Sequence, residues 1–199
     1  MTGIIYVEGG GDSRELHSRC REGFRKLLER CGYVGRMPRL FACGGRDGAF
    51  DDFKTAFANA AKNDFVALWI DSEDPIVDLV AAWAHLRTRD QWEKPDGATD
   101  EQVLFMTTCM ETWIVADRAT LVEHDGAKLQ ESALPSLVDL ETRARGTVQN
   151  ALISATRKCG NAYSKGRRSF EVLAKLDPAA LSGNLPSFVR VRRILDASL

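Results

Sequence analysis

The chain has 199 residues, 44% of them hydrophobic and 28% charged, and a formal net charge of −1. That length is enough for the core of one compact domain, or of one domain with a small appendage, and it excludes a stapled mini-fold. The longest apolar runs fall far short of the roughly 20 residues a membrane helix needs, and the N-terminus lacks the basic and apolar regions of a secretion signal; we therefore expect a cytoplasmic protein with no membrane partner.

The elements alternate along the chain. "GIIYV" reads as a first strand that runs into Glu8 and three glycines, Gly9 to Gly11. An amphipathic helix follows, with Leu16, Cys20, Phe24, Leu27, Leu28 and Cys31 near helical spacing, Asp12 or Ser13 as its cap and Gly32 as its stop. "RLFACGG" predicts a short second strand, and Phe50, Phe53, Phe57 and Ala60 predict the next helix. "FVALWID" is a continuous apolar run of the kind buried on both faces of a parallel sheet, and Pro75 is expected to open the helix after it. A polar loop near residues 90–100 leads to the strand "QVLFMTT" and the helix "METWIVADRATLVEH".

This order predicts an α/β fold with a mainly parallel four-stranded sheet flanked by helices. We place that core at residues 1–125. Residues 126–199 read as a basic helical extension packed on it, in which "LPSLVDLETR", "TVQNALISATRK", "RRSFEVLAKLD" and "PSFVRVRRILDASL" are short helices broken by prolines and glycines. From Glu141 onward there are 11 Lys and Arg against 4 Asp and Glu, whereas the rest of the chain holds 16 against 24. An acidic body with a basic C-terminal part fits an approach to a polyanion; solvated faces and internal pairing are the alternative.

Five scattered cysteines without a C-x-x-C pair argue against a disulfide framework or a structural zinc site, and three histidines without H-x-x-x-H spacing give a zincin no support. The informative residues are acids at strand ends, where open parallel sheets bind ligands. Glu8 ends the first strand; Asp71, Glu73 and Asp74 end the third; Glu111 follows the fourth. Oxygen ligands alone match a hard cation such as Mg²⁺ or Mn²⁺. The competing role for each acid is helix capping, which fits Asp74 best and Glu8 least, because Asp12 and Ser13 already supply that cap. The glycines lack the lysine of a Walker loop and the Rossmann spacing, so we read them as admitting a metal or a scissile phosphate beside Glu8.

Strands ending in "IIYVEGGGDS" and "ALWIDSED" resemble those of the TOPRIM domain of topoisomerases, primases and overcoming-lysogenization-defect nucleases. More narrowly, "METWIVAD" and "AYSKG" resemble segments of a family of small TOPRIM-like bacterial proteins of unknown function. The usual Asp-x-Asp is here Asp71-x-Glu73 with Asp74 adjacent, so either Glu73 or Asp74 is the second acid. The resemblance implies a metal-dependent nuclease of DNA or RNA that works with an ATPase partner in antiphage defence.

In that reading Glu8 ligates a second ion or acts as general base, and Asp71 with Glu73 or Asp74 holds Mg²⁺ or Mn²⁺. Lys165, with Arg167 and Arg168, contacts nucleic-acid phosphate; a solvated helix start is the other role for the arginine pair. Tyr163 and Trp113 are expected to be packing residues. The rival reading is a non-catalytic interaction module on the same scaffold, regulating an ATPase.

Overall fold

A computed structural model describes residues 3–61 and 63–199. Four strands, β1 (Gly3–Val7), β2 (Arg39–Ala42), β3 (Phe65–Asp71) and β4 (Val103–Met106), form one sheet in the order β2-β1-β3-β4, and every pairing is parallel. The chain leaves β1 towards β2 and then crosses to β3 on the other side. The sheet therefore reverses its winding between β1 and β3, and the crevice of such a sheet opens at the carboxyl ends of those two strands.

Helices cover both faces. Alternation along β3 sends Phe65, Ala67 and Trp69 to one face and Val66, Leu68 and Ile70 to the other, which is why its apolar run is unbroken. On the second face lie α2 (Arg46–Ala58) and α3 (Ala82–Asp90), with Phe50, Phe53, Trp83 and Trp92. On the first lie α1 (Arg14–Arg30), α4 (Met110–Ala116), α5 (Arg118–Asp125), α6 (Arg145–Thr156), α7 (Arg167–Leu173), α8 (Pro178–Asn184) and α9 (Pro186–Ser198). Residues beyond 125 share that core: Trp113 of α4 meets Trp69 edge-on at 5.9 Å and Phe188 of α9 at 4.9 Å.

Local chemistry explains most boundaries. Ser13, not Asp12, caps α1, accepting from the Leu16 N–H at 3.1 Å. Gly23 lets α1 approach α7 closely, since a Cβ there would stand 2.9 Å from the Phe170 carbonyl oxygen. The segment from Met110 to Asp125 is two helices. At the break the buried Asp117 carboxylate caps α5 through the Thr120 N–H at 3.0 Å and accepts from the Asp177 N–H at 2.7 Å.

Besides the expected single helix over residues 110–124, which is two helices, three expectations need correction. Pro75 does not open α3, which begins at Ala82; its second residue, Trp83, is capped by the Asp100 carboxylate at 2.8 Å, 17 positions along the chain. "LPSLVDLETR" forms only a 3₁₀ turn at Leu140–Thr142. Pro178 and Pro186, expected among the residues that break the helices, each start one: Pro178 is the first residue of α8, capped by Asp177 through the Ala179 N–H at 3.0 Å, and Pro186 the first of α9. Among the described residues, no helix is long and apolar enough to cross a membrane.

Candidate functional site

Glu8 stands immediately beyond β1 and Asp71 ends β3, so the winding reversal brings both to one crevice. The Asp71 N–H donates to Glu8 Oε2 at 3.2 Å, which ties the second acid's backbone to the first acid's side chain. Asp71 Oδ1 accepts from the Met110 N–H at 2.9 Å. Glu73 follows in the left-handed region at φ 68°, an uncommon backbone for a residue with a Cβ, and its N–H donates to the Thr108 carbonyl at 2.8 Å. One carboxylate oxygen from each of Glu8, Asp71 and Glu73 lies within 4.8 Å of the others.

The structure chooses between the two acids after Asp71. Asp74 is largely exposed and bound to Arg89 Nε at 3.1 Å, whereas Glu73 turns into the cluster. Glu111 approaches from α4 and is fully buried. Its Oε1 accepts from the Tyr163 hydroxyl at 2.6 Å, and its Oε2 has no partner among the described residues. Tyr163 is therefore tied to a site acid, as well as packing against the core. Burial and the neighbouring Glu111 charge push its phenol strongly upward, which keeps it a donor.

A cleft of about 440 Å³ opens beside these acids, lined by Glu8, Asp71 and Glu111, by the glycines of both loops and by Lys165. Arg167 and Arg168 are not brought there. Arg167 pairs with Glu171 at 2.8 Å in a separate groove with Lys26 and Lys175, and Arg168 donates to the Gly160 and Ala162 carbonyls at 3.4 and 3.2 Å.

The glycines answer first to the backbone. Gly9 and Gly44 exchange both N–H···O bonds at 2.9 Å, with φ 141° and 73°. A Cβ on Gly44 would stand 2.6 Å from the Gly11 carbonyl oxygen, and one on Gly10 would stand 2.9 Å from the His17 Cα. They make close backbone packing possible and leave the cleft floor free of side chains.

Three arginines that sequence reasoning passed over balance the acids; the outermost, Arg89 of α3, reaches Glu73 Oε2 at 3.7 Å while pairing with Asp74 and Asp90. Arg46, at the start of α2, donates from Nη1 to Glu8 Oε2 at 3.3 Å and to the Asp71 carbonyl. Its Nε and Nη2 grip Asp90 at 2.9 and 2.7 Å, and its guanidinium lies 5.0 Å from the Trp92 ring centre. Arg145, the first residue of α6, pairs with Glu73 and stands 3.9 Å from Asp71 Oδ2. Position was a usable signal for Arg46, which follows the second strand's glycines as Glu8 precedes the first strand's. Arg145 carried none. Burial and the charges of Glu8 and Glu111 push Asp71 up to about 8, against the pull of Arg145 and Lys165.

The fold and site define an α/β protein whose parallel sheet carries a carboxylate cluster at its winding reversal, facing a lysine from a helical extension. Residues 7–195 match the family described as a domain of unknown function, DUF4276, and the chain belongs to that family. No curated protein and no solved structure matches it.

Proposed function

We propose that the protein is a TOPRIM-type nuclease that hydrolyses phosphodiester bonds of DNA or RNA with Mg²⁺ or Mn²⁺, in the cytoplasm, beside an ATPase partner in phage defence. The observation that carries this reading is the convergence of Glu8, Asp71 and Glu73 within 4.8 Å at the edge of an open cleft. An all-oxygen donor set with a carboxyl group as strained as Asp71 fits a hard divalent cation. Such an ion, held by Glu8, Asp71 and Glu73, supplies charge neutralisation and a more acidic water.

The chain's own groups do the rest. Glu111, fixed through Oε1 by Tyr163, lines the cleft, and its buried, unpaired Oε2 takes the proton of the attacking water once that water enters from the cleft. Lys165 sits across the cleft as the counter-charge for the scissile phosphate. The water oxygen bonds to phosphorus, the bond from phosphorus to the leaving oxygen breaks, and that oxygen is protonated from solvent or Lys165.

The Arg46 and Arg145 pairings favour a second reading, in which the acids satisfy the fold and the chain is a non-catalytic partner of an ATPase. Cleavage of a panel of DNA and RNA substrates, with Mg²⁺, Mn²⁺ or EDTA and with or without the ATPase, separates the two. The nuclease reading expects metal-dependent cleavage that Asp71→Asn and Glu111→Gln abolish while both variants stay folded. No cleavage under any condition overturns it in favour of the interaction module.

A further inference from the structure

We propose that Arg145 is the internal cation of this site: it fills the acidic cluster when no divalent ion is bound, is displaced when one binds, and then holds the substrate phosphate. The inference rests on the metal-binding part of the reading above. Its basis is the unequal hold on Arg46 and Arg145. Arg46 is gripped by both oxygens of Asp90, by Glu8 and by the Asp71 carbonyl, and lies over Trp92. Among the described residues Arg145 has one hydrogen-bond partner, Glu73, and a longer ionic contact to Asp71 at 3.9 Å, and its Nε is buried with no acceptor.

Shared oxygens then decide which guanidinium moves. An ion held by Glu8, Asp71 and Glu73 needs the Glu73 carboxylate that Arg145 now occupies, whereas Arg46 is held mainly by Asp90, and Arg89, 3.7 Å from Glu73, is held by Asp74 and Asp90. The ion and Arg145 therefore compete for the same carboxylate, and Arg145, the less tightly held cation, leaves. Its side chain is 26% exposed and therefore has a way out. Once released beside the cleft, the planar guanidinium offers a phosphate the two-pronged donor geometry that an ammonium lacks, and the unpaired Nε gains an acceptor.

The test uses full-length wild type, Arg145→Gln and Arg145→Lys, with three readouts. In Mn²⁺ titrations, Arg145→Gln should bind at least about fivefold tighter than wild type, because two mutually exclusive cations are linked, while Arg145→Lys stays near wild type. In Ca²⁺, taken as a non-cleaving ion, Arg145→Gln and Arg145→Lys should bind oligonucleotides about tenfold more weakly, the loss of one good charged contact. In wild type, the Arg145 Nε resonance, assigned by its absence from the lysine variant, should shift as Mg²⁺ is added.

Wild type that binds Mn²⁺ with Arg145→Gln no tighter, or an Arg145 resonance that stays put during Mg²⁺ binding, overturns the inference and leaves the metal site standing. Unchanged oligonucleotide affinity overturns the phosphate role. If neither wild type nor variants bind Mn²⁺, the metal reading falls and takes the inference with it. Should Arg145→Gln fail to fold, the lysine variant's oligonucleotide affinity and the wild-type resonance decide.

Discussion

Replacing Asp71 by Asn should stabilise the metal-free protein, increasingly so as the pH rises. The asparagine Oδ1 can keep the Met110 N–H bond while the buried charge disappears. Burial, Glu8 and Glu111 lift the folded carboxyl from 3.8 to about 8. The folded protein thus keeps a proton that the unfolded chain releases, so the wild type's stability from this group is full below pH 4 and is lost as pH rises towards 8. The slope is at most about 1.4 kcal/mol per pH unit, so the variant's advantage should grow by about 3 kcal/mol by pH 6 and about 6 kcal/mol by pH 8, as an upper bound. Urea unfolding of both proteins in EDTA from pH 4 to 9 measures the difference, and taking the difference removes the carboxyls that do not interact with Asp71. A difference that stays flat across that range, or shrinks with pH, refutes the burial and charge-crowding argument. Adding Mg²⁺ should stabilise wild type alone and so narrow the gap.

Glu141 offers a second pH test away from the cleft. Burial raises its carboxyl to about 7 despite hydrogen bonds from the Ser187 hydroxyl and N–H, so its contribution to stability is lost between about pH 4.5 and 7; Glu141→Gln should flatten that part of the urea-midpoint profile. Gly44→Ala should cost more than about 1 kcal/mol, read as a lowered melting temperature, because φ 73° and a Cβ 2.6 Å from the Gly11 oxygen both oppose it. A melting temperature within error of wild type would show that the two loops can separate freely.

Much of the fold was legible in the sequence because its signals are local. Strand β3 announces itself by seven buried residues in a row, and α1 by its capping serine and its spaced apolar positions. Where partners come from afar, local reading fails. The start of α3 depends on Asp100, and the Asp117 break depends partly on Asp177. Pro178 was ambiguous because proline suits both the stretch beyond a helix end and the first position of a helix; here α7 has already ended at Leu173 and Pro178 opens α8. Of the site, the strand-end acids were visible because the topology fixes where strands end, but Glu73 over Asp74 is decided by one backbone angle. Arg145 comes from a helix 72 positions beyond Glu73, with no strand end to mark it.

Thr108 bears on how steady that last contact is. Its carbonyl receives the Glu73 N–H, and its hydroxyl donates to the Arg143 carbonyl at 3.3 Å, two residues before Arg145. Acid and arginine thus hang from a common mount. Thermal displacement of the turn after β4 carries both together, so their positions fluctuate in phase and their separation is better preserved than either position alone. A shear of the extension over the sheet would strain the Thr108 hydrogen bonds together with the Glu73–Arg145 pair, so the anchoring steadies the two backbones and leaves release of Arg145 to a movement of its side chain alone.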